Sequence, residues 1–333
     1  MIWYKEKTDN DIIVSTRVRL ARNLDKFPFP ALLSEEGKNK VTEKVKSAVL
    51  GSNSTLAGDF SYIKMSDLKD SQRQELAEKH LISLDMAQDK TGSVLINKEE
   101  NMSIMLMEED HIRIQIIMGG AKLSEAWDLA NKVDDVIEEN VDYAFSEEFG
   151  YLTACPTNTG TGMRASVMMH LPALTVTNNM SKIISSASAL GLTVRGLYGE
   201  GSKAYGCLYQ ISNQVTLGMS ENEIIEQLEN VVRQIEKHER DARESLKKNE
   251  GYCDKLWRSY GILKYARSVS SSEAKALISD VILGKNLGII DIKGKLPETE
   301  LMVESEPALI MAGEQLTPEA RDKKRAEFLR ENI

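Results

Sequence analysis

Short runs in which apolar and polar residues alternate follow one another with no room for a helix between them, and this succession narrows the fold more than any other feature. Residues 93–97, 103–107 and 111–118 are three such runs in close order, and 12–20, 60–65, 150–154, 164–171, 191–197 and 205–211 read the same way. Period-two alternation marks strands with one face in a core. Strands that succeed one another without crossovers pair antiparallel, so the expectation is an α+β fold rather than a doubly wound parallel sheet. Helical spacing recurs at 34–49, 70–83, 123–140 and 178–190.

The texture changes beyond residue 219. Ile224, Ile225, Leu228, Val231, Val232, Ile235 and Leu246 recur at helical spacing behind Ser220 and Glu223, a capping-box pair. Further helices are expected near 253–267, 271–284, 297–312 and 317–331. The chain therefore divides into an antiparallel-sheet domain, 1–215, and an all-helical one, 216–333.

A net charge of −9 over 333 residues argues against nonspecific binding to nucleic acid, which needs clustered phosphate-neutralising cations. No apolar run reaches the roughly 20 residues of a membrane helix, and no apolar signal core follows the start. A cytoplasmic location is expected. Cys155, Cys207 and Cys253 are odd in number and lack CxxC spacing, against both a disulfide framework and a zinc site.

Alternation places arginines together. Arg17 and Arg19 share a strand face with Ser15, while Val14, Thr16, Val18 and Leu20 point the other way; Arg113 falls with His111 and Gln115. Arg164 follows the glycine-rich turn CPTNTGTGMR and shares a face with Ser166, Met168 and His170, and Arg195 ends another strand. If the strands are neighbours, five guanidinium groups on one face call for a polyanion such as a triphosphate with its Mg²⁺. The ordinary alternative pairs each with one of the 51 carboxylates. The glycines of the turn are expected to let the backbone approach a ligand. Glu108, Glu109 and Asp110 interrupt two strands, either as an exposed hairpin tip or as Mg²⁺ ligands and a general base at the mouth of the basic site. There is no GxxxxGK[ST], so a P-loop is unsupported, and GTGMRA precedes a strand, which argues against a Rossmann reading.

The residues STRVRLAR at 15–22, an LxxxH pattern ending at His80, EEDHIR at 108–113, CPTNTGTGMRASV at 155–167 and RGLYGE at 195–200 together resemble the phosphagen (guanidino) kinases, in that family's order. Three departures narrow the resemblance. The helical domain that precedes STRVR in small-guanidine kinases has no counterpart before residue 15. RDKKRA at 321–326 lies in an added helical region. Met107 stands for the family's asparagine, and Met168 for its histidine. These features resemble the bacterial protein-arginine kinase branch.

The resemblance implies the following roles. Glu109 is the general base, Glu108 holds Mg²⁺ through water, Asp110 helps orient Arg113, and Glu200 grips the acceptor guanidinium from its other side. Cys155 assists near that guanidinium. ATP is held by Arg17, Arg19, Arg113, Arg164 and Arg195, with Ser15, Thr16, Val18, His80, the stretch Ala165, Ser166, Val167 and Met168, and the stretch Gly196, Leu197, Tyr198, Gly199 and Glu200. Arg321, Asp322, Lys323, Lys324, Arg325 and Ala326 form an allosteric phosphoarginine pocket. Implied partners are arginine-bearing protein substrates, a second copy of the chain, a zinc-binding activator, a Clp ATPase and a heat-shock repressor, within a bacterial stress response. Two other readings are a kinase of free arginine or another small guanidine, and a noncatalytic adaptor that binds phosphoarginine.

Overall fold

A computed structural model describes residues 1–54, 57–196, 205–292 and 294–333. Its strands are β1 (Ile13–Arg22), β2 (Phe60–Lys64), β3 (Ser93–Asn97), β4 (Met102–Leu106), β5 (Ile112–Gly119), β6 (Phe145–Ser146), β7 (Gly150–Tyr151), β8 (Met163–His170), β9 (Leu192–Gly196) and β10 (Leu208–Asn213). All but β6 and β7 form one antiparallel sheet in the order β2-β3-β4-β5-β1-β8-β10-β9. β1 is thus central, between β5 and β8.

The helices are α1 (Glu35–Leu50), α2 (Asp70–Glu78), α3 (Leu84–Gln88), α4 (Leu123–Glu138), α5 (Pro172–Val176), α6 (Met180–Ala189), α7 (Glu221–Leu246), α8 (Glu250–Tyr265), α9 (Ser271–Asn286), α10 (Glu298–Glu304), α11 (Pro307–Met311) and α12 (Pro318–Asn332). One sheet face buries Val18, Leu20, Ile114, Ile116, Ala165 and Val167 against the apolar stripes of α1, α4 and α7. α7 starts at the expected box: Ser220 Oγ accepts from Glu223 N at 3.3 Å, and Glu223 Oε2 accepts from Ser220 N at 2.7 Å. Its Ile224, Leu228, Val231, Val232 and Ile235 belong to this sheet core, so the expected division at 215/216 falls ahead of a helix that packs on the sheet. A second core joins α8, α9, α10 and α12 and reaches the other face of the sheet at Leu208, Val14 and Met168.

Several elements differ from their expected bounds for identifiable reasons. The expected helix at 70–83 stops at Glu78, because His80 takes a left-handed φ of 59°. The run 297–312 divides into α10 and α11, since Glu306 precedes Pro307 and is extended, with φ −66° and ψ 155°. The strand expected at 150–154 shrinks to Gly150–Tyr151, paired with Phe145–Ser146. Residues 205–207 form a 3₁₀ turn around Gly206 rather than the start of a strand. Finally, a register shift between Ile13 and Ser15 inserts Val14 as a bulge, which turns it toward the arginine face instead of the helix-covered one.

Candidate active site

The sheet register assembles the arginines. Arg19 lies directly across from Arg164 on β8 and from Gln115 on β5, two residues along from Arg113. Arg17 is opposite Ser166; Ser15 is opposite Met168, which is opposite Gln210, which is opposite Arg195. Directly opposed residues share a sheet face, so all five arginines occupy one. Arg17 Nη2 donates to Gln210 Oε1 at 2.7 Å. The Nε of Arg19 is buried without a hydrogen-bond partner among the described residues. Withdrawal from water, followed by repulsion from Arg113 and Arg164, pulls Arg17 down to about 10 from its ordinary 12.5. Arg19 is lowered well below 12.5 by the same withdrawal and by Arg17, Arg113 and Arg164, with Glu108 acting in the opposite sense. Such a face gains most from an anion.

Thr16, Val18, Ala165 and Val167 turn their side chains to the opposite face, three of them into the core, and only their backbone belongs to the strands of the site. Ser15, Ser166 and Met168 do line the arginine face. His80 meets it from the turn after α2: its carbonyl accepts from Gln115 Nε2 at 2.7 Å, and its ring packs 5.7 Å from that of Trp3. Burial, then Arg17 and Lys275, lower His80 to about 3, so it is a neutral ring.

At the other end of the face stand the acids. Arg113 Nη1 is 2.5 Å from Glu108 Oε2 and its Nη2 is 3.3 Å from Glu109 Oε2. Glu109 is 44% exposed and Glu108 only 9%. The hydroxyl of Ser83, which also caps α3, donates to Glu108 Oε1 and fixes that carboxylate. Asp110 does something other than expected. Its Oδ1 accepts from Asn23 Nδ2 and from Ala154 N, each at 2.7 Å, and no contact with Arg113 is among them. Asp110 therefore pins the loop that carries Cys155, while Glu108 and Glu109 hold Arg113. Met107 has a left-handed φ of 61°, a conformation that asparagine, expected there from the resemblance, adopts more readily.

Cys155 is half-buried, with Sγ 3.0 Å from Thr157 Oγ1. All three cysteines are free. The glycines after it make close approaches to the protein's own chain. A Cβ on Gly160, at φ 118°, would sit 2.1 Å from the carbonyl oxygen of Thr216. One on Gly162, at φ 63°, would meet Ala21 O at 2.6 Å and Arg22 Nη1 at 2.5 Å. Arg22 is the anchor here: it donates to Thr161 O at 2.9 Å, and its Nε and Nη2 reach Asp134 Oδ2 at 3.0 and 2.7 Å. Sequence reasoning missed Arg22, Asn23, Ser83 and Gln210. Alternation alone would have turned Arg22 away from Arg17 and Arg19.

Leu197, Tyr198, Gly199 and Glu200 lie outside the described residues. In RDKKRA, Arg325 is fully buried. It donates from Nε to Ser305 O at 2.8 Å, and from Nη1 to Val269 O at 3.0 Å and Asp322 Oδ1 at 2.6 Å. Ala326 is core; Arg321 and Asp322 are partly exposed, Lys323 is exposed, and Lys324 pairs with Glu314 at 3.3 Å. His170, on the strand after Met168, is a core residue, with Nε2 2.7 Å from Ser279 Oγ.

Comparison with known proteins places this geometry. The family described as "ATP:guanido phosphotransferase, C-terminal catalytic domain" matches residues 40–242, and "Protein-arginine kinase McsB C-terminal domain" matches 249–333. A protein-arginine kinase of Caldanaerobacter subterraneus subsp. tengcongensis is 50% identical over 96% of each chain. That of Brevibacillus brevis is 47% identical over 99% of this chain and 94% of its own. Among solved structures, a lombricine kinase superposes with a TM-score of 0.61 at 25% identity, covering 71% of this chain and 68% of that one. A duplicated taurocyamine kinase from Schistosoma mansoni, with bound components of a transition-state analogue, gives 0.58 at 27% identity over 69% and 32%.

Proposed function

The chain belongs to the protein-arginine kinases of the ATP:guanido phosphotransferase family, and from that premise we propose how its residues divide the work. It is an ATP-dependent enzyme that phosphorylates arginine side chains of proteins. The observation that carries the residue assignment is the face shared by five arginines, on which Arg17 and Arg19 are withdrawn from water beside the charges of Arg113 and Arg164.

Arg17, Arg19, Arg113, Arg164 and Arg195 bind the phosphate oxygens of ATP and the charge that builds as the γ-phosphoryl moves, which is catalysis by position and preorganised electrostatics. An acceptor guanidinium stays protonated throughout the physiological pH range and is a poor nucleophile. Glu109, the more exposed of the two acids on Arg113, accepts a proton from one of its nitrogens. That nitrogen then bonds to the γ-phosphorus as the bond to the ADP oxygen breaks. Glu200 orients the acceptor by family resemblance, and Cys155 assists beside it, on a loop fixed by Asp110.

Mg²⁺, when bound, screens the phosphates. Among the described residues no group of three or more His, Cys, Asp or Glu side chains could hold a metal. The hard carboxylate oxygens of Glu108 would suit a water-mediated contact to a Mg²⁺ ion brought in with the nucleotide. Glu109→Gln should lower phosphoarginine formation roughly 10³-fold while nucleotide binding stays measurable; wild-type turnover with a radiolabelled γ-phosphate would remove Glu109 as the base.

The family resemblance further supports a cytoplasmic stress-response role in which modified proteins are directed to a Clp ATPase, a heat-shock repressor is a substrate and a zinc-binding protein is an activator. Among the described residues no helix is long and apolar enough to cross a membrane. Homodimerisation through the C-terminal helices is supported by Trp257, Ile262 and Tyr265, exposed together on α8. The phosphoarginine pocket assigns ligand contact to Arg321, Asp322 and Lys323, with Arg325 as their internal support.

A further inference from the structure

The arginine face does not end in open solvent on the His80 side. A pocket continues from Arg17 away from Glu109, with Ser15, Arg17, His80 and Met168 on the sheet side and Lys275, Met302, Val303 and Glu306 across from them. The second set belongs to α9, α10 and the turn into α11, in the region that matches the separate C-terminal family.

This wall is built in place. Lys275 Nζ is 2.6 Å from Glu306 Oε1, with the two side chains 11% and 7% exposed, so the pair ties α9 to the α10–α11 turn inside the pocket. Arg325 Nε holds the neighbouring Ser305 carbonyl at 2.8 Å. From the sheet domain, Glu78 Oε2 accepts from Ala308 N at 2.8 Å and Leu309 N at 3.2 Å, which fastens α11 two residues before His80. Apolar walls edged by a few convergent polar groups suit a flat heteroaromatic ring. Position decides which ring: with the phosphates on the arginines, the far side of Arg17 is where the nucleoside lies.

We infer that the C-terminal helical region forms the second wall of the nucleoside site, with Met302 and Val303 against the base and the Lys275–Glu306 pair as the positioning element that holds that wall. This rests on the reading of the arginine face as the ATP clamp. The wall belongs to the nucleotide site, so changes in it alter ATP use without altering the acceptor.

The test is photolabelling of the full chain with 8-azido-ATP and mass-spectrometric mapping, together with kinetics of Lys275→Met, Lys275→Arg and the double variant Lys275→Met with Glu306→Leu. The double variant removes both charges, so no buried ion is left alone. Expected are ATP-protectable labels on both the His80 side and residues 299–306. Lys275→Met and the double variant should raise KM for ATP about tenfold, roughly 1.4 kcal/mol, with kcat and the KM for the protein acceptor within about twofold; Lys275→Arg should restore it. Labels confined to the sheet side and lost in Arg17→Ala would overturn the second wall and leave the clamp standing. Protectable labels that Arg17→Ala does not weaken would overturn the clamp itself. A fall in kcat with unchanged KM for ATP would make Lys275 structural and overturn its positioning role.

Discussion

β1 sends arginines to both of its faces, and the two faces treat them in opposite ways. Arg22, 1% exposed, is saturated: Asp134 takes Nε and Nη2, the carbonyls of Ala21 and Thr161 take Nη1, and the ring of Tyr151 lies 3.5 Å beneath. Arg17 and Arg19 are half-buried among like charges and are pulled below their ordinary pKa. A withdrawn cation with all its donors used belongs to the fold. One held beside other cations belongs to a ligand. Arg325 stands between the two: Nε and Nη1 are taken by three oxygens, while its buried Nη2 has no hydrogen-bond partner among the described residues.

The contrast can be broken from either side. Asp134→Ala leaves Arg22 buried without its carboxylate and should destabilise the protein by about 3–5 kcal/mol in denaturant titration. A loss below about 1 kcal/mol would mean that Arg22 is not held as the structure has it.

Glu78 gives the next effect, with a sign that pH reveals. Burial, then repulsion by Glu306, raise its carboxyl to about 7 from an ordinary 4.5, against the two amide hydrogen bonds from α11. Below pH 4.5 it is neutral in both folded and unfolded chains and contributes nothing. Between 4.5 and 7 the unfolded chain releases the proton while the folded one keeps it, so stability falls as pH rises. Glu78→Gln keeps an acceptor for the amides without the titration. Its advantage over the parent should grow by roughly 3 kcal/mol between pH 4.5 and 8. A constant difference in melting temperature over that range would refute it.

Particular residues show how far sequence carries. Alternation is a local property, so it could set Arg17 with Arg19 and Arg113 with Gln115, but the common face of all five arginines came only with the strand pairing. The bulge at Val14 was not legible, because it arises in the pairing with β8. Nor was the reason for the glycines of the CPTNTGTGMR turn, whose neighbours Thr216 and Ala21 are distant in the chain. Glu109 was singled out through the motif, whereas Ser83 and Asp110 take their partners from other elements. RDKKRA read from residues alone is a solvated charged face; the buried side of α12 includes an arginine, which hydrophobic periodicity cannot register. The wall made by Lys275 and Glu306 joins positions far apart in the C-terminal region and opposite a strand from the first domain. Only the packed molecule brings them together.

The account rests most heavily on the claim that Arg19 is placed for a polyanion and not for the fold. Arg19→Met measures this in one protein, with unfolding free energy and ATP-dependent phosphoarginine formation read side by side. Removal of a repelled, partly withdrawn cation should leave stability within about 1 kcal/mol of the parent or raise it, while kcat/KM for ATP falls at least roughly 100-fold. A variant that loses several kcal/mol of stability and keeps its ATP kinetics would place Arg19 with Arg22, and the phosphate clamp would be contradicted.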